Sequence, residues 1–215
     1  TLPAGSINTG SANLTLTSNG GSLATPGALS GANISLTGHG GVALNNNVTA
    51  AGTLGLFSGA AISQGAGIIT AGSLIGSSVG STTLGQANKI GTLGHFSAAN
   101  FSLNNAWTLS VNGPLTTTGD TGNISLKTTS GDLIVHADLA GGAVALTSAG
   151  SLTLTKNLKG TTVALSSGGN LNQSGGIITA GVLSGSAAGS ATLNQANRIA
   201  ALGAFSSVNG LSLTS

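Results

Sequence analysis

The feature that most constrains this chain is a short apolar-x-apolar triplet that returns every 20 residues. It stands at Leu14-Thr15-Leu16, Ile34-Ser35-Leu36 and Leu54-Gly55-Leu56, and Leu74-Ile75 follows in the same phase. The second half has it again at Ile124-Ser125-Leu126, Val144-Ala145-Leu146 and Val163-Ala164-Leu165. Each period holds two further apolar positions, as in Val42-Ala43-Leu44 with Val48, or Leu152-Thr153-Leu154 with Leu158. Alternation with Ser and Thr at period two puts apolar side chains on one side of a strand and hydroxyls on the other. Gly and Asn between the triplets supply bends, because both tolerate positive φ. A coil of about 20 residues with three short strands and three bends is the repeat unit of a parallel β-helix. No segment sustains a 3.6-residue period, and 37 Gly residues break nearly every window, so helix is disfavoured.

A second, longer period is a duplication. Gly67-Ile68-Ile69-Thr70-Ala71-Gly72 recurs as Gly176-Ile177-Ile178-Thr179-Ala180-Gly181, an offset of 109. Gln86-Ala87-Asn88-Lys89-Ile90 recurs as Gln195-Ala196-Asn197-Arg198-Ile199, and Leu93-Gly94-His95-Phe96 as Leu202-Gly203-Ala204-Phe205. Earlier in the unit the offset is 110, from Asn13 to Asn123 and from Val42 to Leu152. The expectation is one all-β domain over 1–215, a β-solenoid of two tandem long repeats, 1–105 and 106–215. Its structural repeat positions are Leu14, Ile34, Leu54, Leu74, Ile124, Val144 and Val163, together with Asn88 and Asn197 of the duplicated motif. Triplet starts at 14, 34, 54, 74, 101 and 124 predict five coils per long repeat, about ten in all, in a rod of order 50 Å. The step from 74 to 101 is the longest, and a loop or irregular coil is expected there.

Composition narrows the function classes. Charged residues make up 4% of the chain, against about 25% in an ordinary domain. Mean hydropathy of +0.39 and a net charge of +2 are opposite to the disordered pattern of low hydropathy with high charge. Lys89, Lys127, Lys156, Lys159 and Arg198 are mostly scattered, so nucleic acid is not an expected partner. No Cys is present to form disulfides or thiolate metal sites. No run of 18 apolar residues predicts a membrane-spanning helix. The start at Thr1, without Met or a leader, fits a processed product or a segment of something longer.

Few residues carry chemistry. Asp120, Asp132 and Asp138 are the only side-chain carboxylates. Polysaccharide-cleaving β-helices use clustered Asp, which singles out Asp132, His136 and Asp138, since glycosidases need two placed carboxylates. The matching segment of the first repeat, Leu23 to Ala28, has no acid, which favours solvated turns over a catalytic site. His39, His95 and His136 sit in dissimilar contexts, and Ala204 replaces His95 in the second repeat, so no metal site is assigned. Lys156 and Lys159 read as a solvated pair that discourages edge pairing. Asn13, Asn33 and Asn123, each before a triplet, predict a ladder of stacked amides. Asn-x-Ser/Thr patterns at Asn13, Asn33, Asn47, Asn100, Asn123 and Asn172 follow from the abundance of Asn and Thr. Trp107 is expected to pack in the irregular coil, and Phe57, Phe96, Phe101 and Phe205 to plug the core or loops. No catalytic residue, cofactor or metal is assigned.

The 20-residue coils, together with the motifs at 67–72, 86–90 and 93–96, resemble bacterial filamentous-haemagglutinin-like repeat proteins. The resemblance spans essentially the whole chain. It implies a right-handed β-helical rod, exported by two-partner or related secretion to the bacterial surface, with a role in adhesion or biofilm. Expected partners are a further copy stacked end to end, or a continuation of a longer chain, and surface glycans. Neither terminus shows a cap beyond Pro3, and Leu211-Ser212-Leu213-Thr214 reads as another strand. An ice- or crystal-binding solenoid is the alternative, on Leu-Thr-Leu-Thr at 14–17 and 152–155. Ser35, Gly55 and Ala145 interrupt the Thr array that it requires, and a polysaccharide-active enzyme ranks lower still.

Overall fold

The structure, a computed structural model, describes residues 5–215, so Pro3 lies outside the described residues. Its strands all pair in parallel and form one β-solenoid of about ten turns. Each coil has three faces. Face A stacks Leu14 on Ile34, Leu54, Leu74 and Leu93, and continues from Phe96 to Leu115, Leu139, Leu158 and Ile178. Face B stacks Leu23, Val42, Ile62, Thr82, Phe101, Ile124, Val144, Val163, Leu183 and Leu202. Face C begins with Ile7, Leu29, Val48 and Ile69, and ends with Leu109, Leu133, Leu152, Leu171, Ala191 and Leu211.

The core is a single column of these inward side chains running the length of the rod. Burial of each large aliphatic side chain contributes roughly 1.5–3 kcal/mol. Its neighbours above and below supply that burial, because a coil has no second layer of its own.

The duplication follows the helical path in an unexpected way. Leu14 lies on face A, yet its counterpart Ile124 lies on face B. Likewise Val42 is on face B and its counterpart Leu152 on face C. Five coils carry face A from Leu14 to Leu115, and the 9 residues from there to Ile124 pass to the next face. The long repeat is therefore five and one-third coils, and the second copy is turned by one face relative to the first. Asn123 accordingly does not join the column of Asn13 and Asn33.

The region 75–123 is more regular than its spacing suggests. Where a loop or irregular coil was expected, Thr82–Ala98 is one long strand that runs past all three faces, with register shifts against both of its neighbours, Phe101–Asn105 and Ile69–Ser78. Strands also merge around corners at Val48–Ser58, Leu158–Ser167 and Ile178–Ala187, so three separate strands per coil is not the rule. The 27-residue step from 74 to 101 is one coil plus one face.

Two large rings fill this region. Phe96 lies over Gly76, where an added Cβ would stand 2.9 Å from the ring, and Gly185 leaves the same space for Phe205. Phe96 and Phe101 meet across a corner at 4.8 Å between ring centroids. Thr82 provides the small side chain beneath Phe101, and its hydroxyl is satisfied by Ser78 at 2.8 Å.

Because support comes only from neighbouring coils, position along the rod sets the cost of a cavity. Leu126→Ala in the middle of the column is expected to cost about 2–5 kcal/mol. Leu213→Ala, on the last strand and only partly buried, is expected to cost less than half as much. Urea unfolding of the two variants measures the difference.

Candidate functional site

The polar chemistry of this protein is concentrated in its corners and in two buried amide pairs. Gln64 ends a face B strand and Asn88 lies one coil above. Their amides bond reciprocally, Gln64 Nε2 donating to Asn88 Oδ1 at 2.8 Å and Asn88 Nδ2 to Gln64 Oε1 at 3.0 Å. Asn88 Oδ1 also accepts from the Ile69 N–H at 2.9 Å, and its Nδ2 reaches the carbonyls of Leu84 and Asn104. Gln173 and Asn197 repeat this arrangement at 2.7 and 3.0 Å, with Ile178 N–H on Asn197 Oδ1. The sequence marked Asn88 and Asn197 as repeat positions but missed their partners. Its signal was a Gln in an inward phase, recurring at the same offset of 109.

Gly67 and Gly176 open the turns beside these pairs with φ of 75° and 68°. A Cβ at either would stand 2.3 Å or less from the backbone of the coil below, which accounts for the duplicated Gly-Ile-Ile-Thr-Ala-Gly. Asn105 lies next in this corner, and its side chain accepts from the Ile90 N–H and donates to the Ile90 and Trp107 carbonyls.

A second ladder occupies the position just before the first inward residue of a face. There a side-chain oxygen accepts the backbone N–H of its counterpart one coil on. Asn33 accepts from Thr53 at 2.8 Å, Asn47 from Ile68 at 2.8 Å, Asn100 from Asn123 at 2.8 Å and Asn170 from Ser190 at 3.0 Å. Asn13 and Asn33 are stacked amide on amide at 3.0 Å. Asn123 belongs to the separate column with Asn100.

Asp132 and Asp138 occupy the same ladder position as these amides. Asp132 Oδ1 accepts the Ser151 N–H at 2.7 Å, and Asp138 Oδ1 the Asn157 N–H at 2.9 Å. Each carboxylate thus caps the next coil, as an Asn would. Asp120, at a positive φ of 55° in a short 3-10 turn, bonds Lys159 at 2.9 Å on the surface. Lys159 is therefore an ion-pair partner within a strand paired on both sides, and not an edge guard. His136 bonds the Thr155 hydroxyl through Nδ1 at 3.2 Å. No three of the described His, Asp or Glu side chains converge on a common point.

Outward positions form columns along the rod. On face A, Thr17 and Thr37 are followed by Phe57 and Ser77, then Ser97, Thr116, Ala140 and Lys159. On face C, Thr49 and Thr70 are followed by Lys89. No column carries Thr through more than two successive coils before another residue type enters. Phe57 faces outward between buried Leu56 and Ser58, and is not a core plug. Trp107 is also outside, 47% exposed, with Lys89 Nζ 5.9 Å from its ring centroid. Phe96 and Phe101 are in the core and Phe205 packs partly against it.

Asn88→Ala is expected to destabilise by at least about 2 kcal/mol, because it strands several buried polar groups, and to speed hydrogen exchange at the Ile69 amide. Asp132→Asn keeps the capping oxygen and is expected to leave stability within about 0.5 kcal/mol, whereas Asp132→Ala lowers it; thermal melts compare the two. Among the described residues no helix is long and apolar enough to cross a membrane. No family model, curated protein or solved structure matches the chain.

Proposed function

We propose that this protein is a structural rod of a bacterial surface adhesin or filament, of the filamentous-haemagglutinin-like kind, secreted to the cell exterior. The observation that carries the reading is the seating of the second long repeat directly on the first, one face round. A unit that accepts a copy of itself in this way extends without limit, and gains length without gaining width.

The outer surface fits a passive rod. It is hydroxyl-rich and nearly uncharged, which lowers the repulsion between copies. Adhesion along such a rod works by many weak contacts. The interrupted outward columns support the rod over an ice- or crystal-binding surface, and the hydrogen bonds of Asp132 and Asp138 to the next coil support a structural part for both carboxylates.

Electron microscopy of the purified protein in dilute neutral buffer tests the rod. Thin fibres, or discrete rods of about 50 Å, are expected. A tandem fusion of two copies should double the length at constant width; a particle that thickens instead of lengthening overturns the reading.

A further inference from the structure

The duplication provides an internal control for the outer surface, because both copies build the same core. Inward glycine–phenylalanine pairs are kept in both: Gly76 with Phe96, and Gly185 with Phe205. The outward pair is not. Phe57 lies across Gly55, where an added Cβ would approach its ring to 2.9 Å, but the counterparts in the second copy are Ala164 and Ser166. Ile75, the next outward residue, is matched by Ser184. The second copy folds with small residues at all three positions, so the coil does not require Phe57.

Phe57 separates two shallow grooves. The first, of about 210 Å³, has Thr15, Ser35 and Gly55 on its floor with Ile75 at the end of that column, Phe57 on one side and Asn13, Asn33 and Thr53 on the other. The second, of about 280 Å³, lies beyond the ring and includes Thr37, His39 and Ser77. No Lys, Arg or Asp lines either groove. Asn33 has both ends of its amide engaged, donating to Asn13 and accepting from Thr53, and among the described residues nothing takes up the Asn13 NH₂ group, which is left to serve a ligand.

We propose that this paired groove on coils 1–4 of face A binds a neutral saccharide, with Phe57 as its stacking platform. The ring, held flat by bare Gly55, and Ile75 offer an apolar surface to the C–H face of a pyranose. Hydroxyls and the amide around it meet the sugar's hydroxyls, in the usual pattern of an apolar site with a few placed polar groups. With no Lys or Arg in its lining, and His39 only in the second groove, the site has no fixed cation to pair with a sulfated or sialylated sugar. A peptide lying across the groove cannot add as a strand to Ile34–Gly38 or Val48–Ser58, which are paired on both sides, while Leu14–Ser18 is paired only with Ile34–Gly38 among the described strands.

This site is independent of the rod reading, since fibres can form without it. The test is a printed array of neutral, sialylated and sulfated oligosaccharides, probed with the full chain and with Phe57→Ser, the residue that the second copy carries. Binding to neutral sugars is expected, with a loss of about tenfold in Phe57→Ser and an unchanged melting temperature. No neutral binding, binding confined to anionic sugars, or binding that Phe57→Ser leaves intact overturns the proposal. A loss of binding that comes with a lowered melting temperature also overturns it, by assigning Phe57 to the fold.

Discussion

Everything in this molecule depends on parallel stacking of one coil on the next. A coil of about 20 residues closes around so little interior that it cannot bury its own apolar face. Leu14 is covered by Ile34, Ile34 by Leu54, and so on up the rod. The same stacking supplies the backbone hydrogen bonds, so burial and pairing are satisfied together or not at all. This is why inward positions are so uniform in type while outward ones vary freely.

Corners are where that economy is hardest to maintain, because the backbone turns and its polar groups lose their strand partners. The protein answers with neutral side chains. Ser148, Ser167 and Ser207 each close a bend by donating to a carbonyl three residues on. Asn33, Asn100 and Asn170 cap the coil above. Inside, the Gln64–Asn88 and Gln173–Asn197 pairs satisfy one another and the strand starts beside them. Neutral amides and hydroxyls accomplish this without the desolvation cost of buried charge, which fits the 4% charged composition.

The one-third turn of the long repeat follows from the same constraints. Core side chains need only another apolar layer above them, so a duplicated segment can seat on any of the three faces. Coil lengths differ, with 19 residues from Leu139 to Leu158 and 24 from Leu115 to Leu139, and their sum decides which face is reached. Outward residues do not carry that requirement. Phe57 and Ile75 on one copy can therefore differ from Ser166 and Ser184 on the other without disturbing the stack.

By itself the sequence determined the all-β class, the coil length, the inward positions Leu14, Ile34, Leu54, Leu74, Ile124, Val144 and Val163, and the number of coils. These are written in a period of two within a period of 20, and side-chain alternation makes such a pattern readable locally. It also marked Asn88 and Asn197 through their recurrence. What only the tertiary structure decided is which face each triplet occupies, that 82–98 is strand where a loop or irregular coil was expected, and that Phe57 and Trp107 point outward. Those outcomes depend on cumulative coil lengths and on the neighbours one coil away, which no local window contains. The partners of Asn88 and the capping role of Asp132 were hidden for the same reason, since residues 24 and 19 positions apart become adjacent only when the coils stack.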